Sequence, residues 1–141
     1  MHIIGRILAA VVMIAAVDAS AQTGETPPTL EGAKTITARD AKAAIDAGAQ
    51  PLDVRKKASF VEGRLPKAKA IGTAKDPKTN EFNVAVFGTK KDAAVLFYGH
   101  GSDGWSAVAA VNSAVKAGFT NVLWLRGGYT EWAQAGLPIE Q

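Results

Sequence analysis

The chain contains no cysteine at any of its 141 positions. That absence excludes disulfide staples, thiolate nucleophiles and cysteine-based metal centres, so the fold must rest on its apolar core. Histidine is almost as scarce, with only His2 and His100 in the sequence. No recognisable His/Cys ligand spacing can be assembled from these two, and no metal or other cofactor is expected. Long apolar runs are also missing after the first residues. What remains is nearly half hydrophobic and about a fifth charged, a balance that suits one globular α/β domain and leaves no room for a second.

The first 21 residues read as a secretory signal. Arg6 stands near the start, eleven apolar residues run from Ile7 to Val17, and Ala19-Ser20-Ala21 supplies the small-x-small pattern that a signal peptidase accepts. A membrane span needs ~20 apolar residues, so cleavage after Ala21 and a periplasmic or secreted product are expected, with no membrane-embedded segment afterwards. Residues 22–34, with Pro27-Pro28 and few large apolar side chains, read as a flexible leader, and residues 35–141 as the domain.

Net charge is only +3, but its distribution is uneven. Between residues 55 and 91 lie Arg55, Lys56, Lys57, Arg64, Lys67, Lys69, Lys75, Lys78, Lys90 and Lys91, against Glu62, Asp76 and Glu81. Such a surplus attracts a small anion or an acidic protein partner, and is otherwise a solvated basic face; export argues against nucleic acid.

Thr37 is placed to cap a helix from Ala38 to Ala47, with Gly48 as its stop. Pro51–Val54 reads as a short buried strand, Ser59–Gly63 as a helical turn and Ala70-Ile71 as a second short strand. Residues 75–80 are a polar loop around Pro77, and Phe82–Phe87 is apolar but too short to reveal its period. Ala93–Tyr98 is a continuous apolar strand, the pattern of a sheet covered on both faces. Trp105–Ala117 has helical spacing and ends at Gly118; Asn121–Leu125 is a further strand and Tyr129–Ala135 a final short helix. Strand and helix alternate, which predicts a central parallel β-sheet with helices on both faces.

Ligands of such sheets sit beyond the carboxyl ends of the strands. The loop after Tyr98 reads Gly99-His100-Gly101-Ser102-Asp103-Gly104-Trp105-Ser106. Gly99, Gly101 and Gly104 satisfy the dinucleotide fingerprint, yet Arg126 stands where a ribose-binding acid belongs and no second half follows. The same residues approach a P-loop with Trp105 in the place of its lysine, which leaves phosphate charge unanswered. Ser102, His100 and Asp103 resemble a hydrolytic triad only on paper, because neighbours on one short loop rarely reach relay geometry.

Three motifs in order carry a broader resemblance. Leu52-Asp53-Val54-Arg55, Gly63-Arg64-Leu65-Pro66-Lys67-Ala68 and the run Gly127-Gly128-Tyr129 through Trp132 to Gly136-Leu137-Pro138 together resemble the rhodanese-like domain family of sulfurtransferases. The resemblance implies a single rhodanese-like domain in which Val95–Tyr98 delivers the catalytic cysteine and the following loop forms the active-site cradle. Gly99 stands at that cysteine position, and Gly104 before Trp105 at a second one found in one subgroup.

Sulfur transfer requires a thiolate that attacks the donor and carries the persulfide. The expectation is therefore a pseudoenzyme, an exported sulfurtransferase homologue inactive in cysteine-dependent transfer. What the loop retains is an anion cradle of backbone amides at a helix N-terminus, with Asp103 opposing it. Two other readings stand beside this one. The chain is a protein-interaction module docking an acidic partner through residues 55–91, or a form altered from a cysteine-bearing parent that would be an ordinary sulfurtransferase. Asp53 and Arg55 divide between a strand-end ion pair and a ligand-gating role, and Trp105, Trp124 and Trp132 are expected in core or lid packing.

Overall fold

A computed structural model describes residues 23–141; the expected signal segment lies outside the described residues. Five strands, β1 (Ala33–Ile36), β2 (Gln50–Asp53), β3 (Lys69–Ala70), β4 (Val95–Tyr98) and β5 (Val122–Leu125), form one sheet in the order β1-β5-β4-β2-β3. Every pairing is parallel, and the helices are α1 (Ala38–Asp46), α2 (Lys57–Glu62), α3 (Trp105–Lys116) and α4 (Gly128–Gln134).

Two apolar layers account for the architecture. Side chains alternate along a strand, so β4 sends Val95 and Phe97 into a core with Val108, Val111 and Ala114 of α3. It sends Leu96 and Tyr98 to the other face, against Ile45 of α1 and Trp132 of α4. All four β4 side chains are buried, which is why that strand reads as an unbroken apolar run.

The local signals act as chain punctuation should. Thr37 accepts a hydrogen bond from the Asp40 amide at 3.2 Å, and Gly48 takes a positive φ of 104° after α1. Gly118, at φ 93°, does the same after α3. Strand ends differ from the sequence reading by one or two residues. The undecided stretch Phe82–Phe87 contains a 3-10 turn over Val84–Phe87, with the Asn83 side chain accepting from the Ala85 amide at 3.1 Å.

Residues 22–34 are the point of correction. Among those described, the stretch is no loose leader: Ala33 and Lys34 are already in β1, paired with Val122 and Leu123. Upstream of them, Thr26 is only 3% exposed. Its amide and hydroxyl both donate to the Ser102 carbonyl, at 2.8 and 2.6 Å. The Trp105 indole donates to the Gly24 carbonyl at 3.0 Å, and Arg126 donates to the carbonyls of Thr26 and Pro27 at 2.7 and 3.0 Å. Backbone hydrogen bonds hold this polar segment, and such bonds leave no hydrophobic period to read.

Candidate functional site

The carboxyl ends of β2, β4 and β5 converge on the turn from Gly99 to Gly104. Gly99 is buried directly after β4, and α3 begins at Trp105. The turn is closed by Gly104, whose amide donates to the Gly101 carbonyl at 2.9 Å. A Cβ on Gly104 would lie 2.9 Å from that same carbonyl oxygen, so the tight return demands glycine.

The turn is braced by α4. The amides of Tyr129 and Thr130, in its first turn, donate to the carbonyls of Gly99 and His100 at 2.9 Å each. That approach depends on Gly128. It adopts φ 59°, and a Cβ there would sit 2.5 Å from the Gly99 oxygen and 2.7 Å from the His100 carbonyl carbon. Gly127 answers to a different neighbour, since its Cβ would collide with the Glu131 side chain at 2.6 Å. Glu131 in turn accepts from the Ala38 amide at the start of α1, so α4 links the turn to the opposite helix of its layer. Trp132 is fully buried and donates to the Pro138 carbonyl at 2.8 Å, pinning the chain end.

With its carbonyls engaged, the turn has amides to spare. Among the described residues, the N–H groups of His100, Gly101, Ser102 and Asp103 donate to no protein acceptor. Successive free amides before a helix of twelve residues favour an oxyanion. Lys75 adds a cation: its Nζ lies 3.0 Å from the Ser106 hydroxyl in the first turn of α3. In the sequence Lys75 is legible only as part of a basic surplus; its place beside the first turn of α3 depends on the loop after β3 folding back.

Gly99 itself has ordinary surroundings. A Cβ there would find the Val54 Cγ2 at 3.4 Å, the Ala107 Cβ at 3.8 Å and the Gly104 Cα at 3.9 Å, normal van der Waals separations. The outer side of the turn is different in kind. A hollow of about 520 Å³ there is lined by Gly101, Ser102 and Thr130 together with three acidic residues, Glu25, Asp103 and Glu131. Anions are repelled from that side, and Asp103 is exposed towards it without capping α3. His100 is exposed, and no hydrogen bond joins it to Ser102 or Asp103 among the described residues, so the triad is not assembled.

Asp53 and Arg55 form a buried ion pair beneath the turn, 2.8 Å between Arg55 Nη2 and Asp53 Oδ2. The Tyr98 hydroxyl donates to the same carboxylate at 2.7 Å and accepts from the Leu65 amide at 3.2 Å, while Arg55 donates to the Gly63 carbonyl at 2.6 Å. Tyr129 stacks on the guanidinium, 4.3 Å from its ring centre. Burial works against the Arg55 charge, and the bonds and charge of Asp53 outweigh it, raising the guanidinium further above its ordinary value. Burial, reinforced by the Asp53 charge, likewise pushes the Tyr98 hydroxyl far up. The network ties β2 and β4 to the Gly63–Leu65 segment, with the Asp53 carboxylate taken up by Arg55 and Tyr98.

Comparison with known proteins agrees with this geometry. A family model of the rhodanese-like domain matches residues 37–135. The chain is similar to the Rhodanese_3-like domain of an Anabaena protein, 29% identical over 67% of this chain and 100% of that one, with a TM-score of 0.53. A rhodanese-related protein of Thermoplasma volcanium is 21% identical, covers 76% and 97% of the two chains and has a TM-score of 0.60. A thiosulfate sulfurtransferase of Pseudomonas aeruginosa, 22% identical, shares the fold over 77% of this chain and 20% of its own length, at a TM-score of 0.59. No curated protein matches by sequence.

Proposed function

The chain belongs to the rhodanese-like domain family, and from that premise we propose that it is an exported, non-catalytic member that holds a small oxyanion on the turn after β4. The observation that carries the reading is the turn itself. It keeps four free amides and the nearby Lys75 cation, yet Gly99 offers no side-chain nucleophile at its root. Among the described residues Ser102 has no side-chain partner and Ser106 meets only the Lys75 cation, and oxygen cannot carry a sulfane sulfur as a persulfide. The scaffold binds where an active relative would react.

Two measurements test this. Thiosulfate and cyanide incubated with the protein are expected to give no thiocyanate above background, whereas thiosulfate or sulfate alone shifts the amide resonances of residues 100–103 saturably. Thiocyanate formation at enzymatic rates, or the absence of any saturable shift, overturns the proposal. Gly99→Cys adds a sharper arm, because the space at Gly99 accepts a Cβ without strain. If the amides favour negative charge, the pH profile of that thiol's alkylation has its midpoint below the ordinary cysteine value, a reading that does not depend on access to the buried position. An unactivated thiol counts against the cradle.

A further inference from the structure

A second cavity of about 520 Å³ opens beside the β3 edge of the sheet and shares no lining residue with the turn. That volume falls within the range of about 300–1,000 Å³ that holds small organic ligands. Its walls are largely apolar, from Phe60 and Val61 of α2 and Ala70 of β3, and Gly72 and Thr73 complete the lining beside them. Val61 is 57% exposed, one of two large hydrophobic side chains so exposed among the described residues.

The rim is cationic. Lys56 and Lys57 line the opening, both exposed, and among the described residues neither is paired with a carboxylate. Arg55 also borders the cavity, but its guanidinium is committed to Asp53. Arg64 stacks on Phe60 with its guanidinium 4.6 Å from the ring centre, fixing that wall and adding positive charge behind it. No acidic residue lines the cavity, the reverse of the hollow that flanks the turn. An inorganic anion would use the rim and leave the walls wet; a neutral apolar molecule would leave two cations unanswered.

We infer that this cavity binds a small amphipathic organic anion, a carboxylate or sulfonate carried on a compact apolar body. The body packs on Phe60, Val61 and Ala70, and the charged end reaches Lys56 and Lys57. The site is independent of the oxyanion reading, because its groups lie on α2 and β3 and not on the turn.

The test uses the intact chain and 2-naphthoate as the probe, followed by resonance shifts. Saturable shifts are expected at Phe60, Val61 and Thr73. The double variant Lys56→Gln/Lys57→Gln is expected to bind roughly tenfold more weakly, a scale set by two solvent-facing ion pairs. Neutral 2-naphthamide should weaken similarly, and Val61→Asp, at a side chain 57% exposed, should nearly abolish binding. The inference fails if the double variant binds as tightly as the parent or if shifts fall on residues 100–106 instead. It also fails if inorganic sulfate competes equally for the cavity, or if an acidic peptide occupies these residues while naphthoate does not. The thiosulfate titration at residues 100–103 reads the other site separately, so either proposal can fall alone.

Discussion

At the scale of single residues, the network under the turn sets the sharpest expectations. Asp53→Asn leaves Arg55 charged and buried opposite a neutral amide, and is expected to cost about 3–5 kcal/mol in denaturant unfolding. Tyr98→Phe removes the bond to a carboxylate that keeps its guanidinium and also leaves the buried Leu65 amide without its acceptor, so a loss of roughly 2–4 kcal/mol should appear at neutral pH. The pH dependence carries its own sign. Because the Tyr98 proton is held above the ordinary value of 10.0, the folded state binds it more tightly than the unfolded chain does. Stability is therefore fully present below about pH 10 and declines as alkali deprotonates the unfolded chain. Tyr98→Phe should flatten that alkaline decline, which urea titrations at stepped pH would measure. Gly128→Ala belongs here as well. The added carbon meets the Gly99 oxygen at a positive φ, so a loss of at least about 1–2 kcal/mol is expected, with shifted amides at Gly99 and His100.

At the scale of elements, the sequence was legible wherever a periodic or capping signal existed. The alternation of strand and helix, the caps at Thr37, Gly48 and Gly118, and the buried run of β4 follow from rules of spacing that local residues satisfy alone. β1 escaped because it is a sheet edge. Only Ile36 of its four residues is buried, and Ala-Lys-Thr shows no alternation that a strand template could match. The docking of residues 24–27 escaped for a related reason, since Arg126 recognises that segment by its carbonyls and every sequence has carbonyls. Position 126 was legible only as an argument against a dinucleotide site. Arg126→Ala is expected to free the segment, speeding amide exchange at Thr26 and lowering stability by about 1–3 kcal/mol for its lost hydrogen bonds. Unchanged exchange at Thr26 would show that Trp105 and Ser102 suffice to hold it.

For the whole molecule, the site was visible as a position and invisible as an environment. The turn could be found because a glycine-rich loop following an apolar strand has few readings; Lys75, Glu25 and Glu131 reach it through folding and leave no linear trace. The two cavities of opposite polarity belong to the same category. The long-range contacts of residues 23–36 also bear on how the polypeptide becomes organised in time. Thr26 meets Ser102 across 76 positions and Arg126 across 100, and β1 waits for β5. During vectorial synthesis, residues 23–36 emerge early and find their partners last. Until they return, β5 presents an open hydrogen-bonding edge to any other chain. Slow closure of that seam would make nascent copies prone to associate with one another, a hazard set by chain order and one that a circularly permuted version beginning at α1, with β1 following the present end, would relieve.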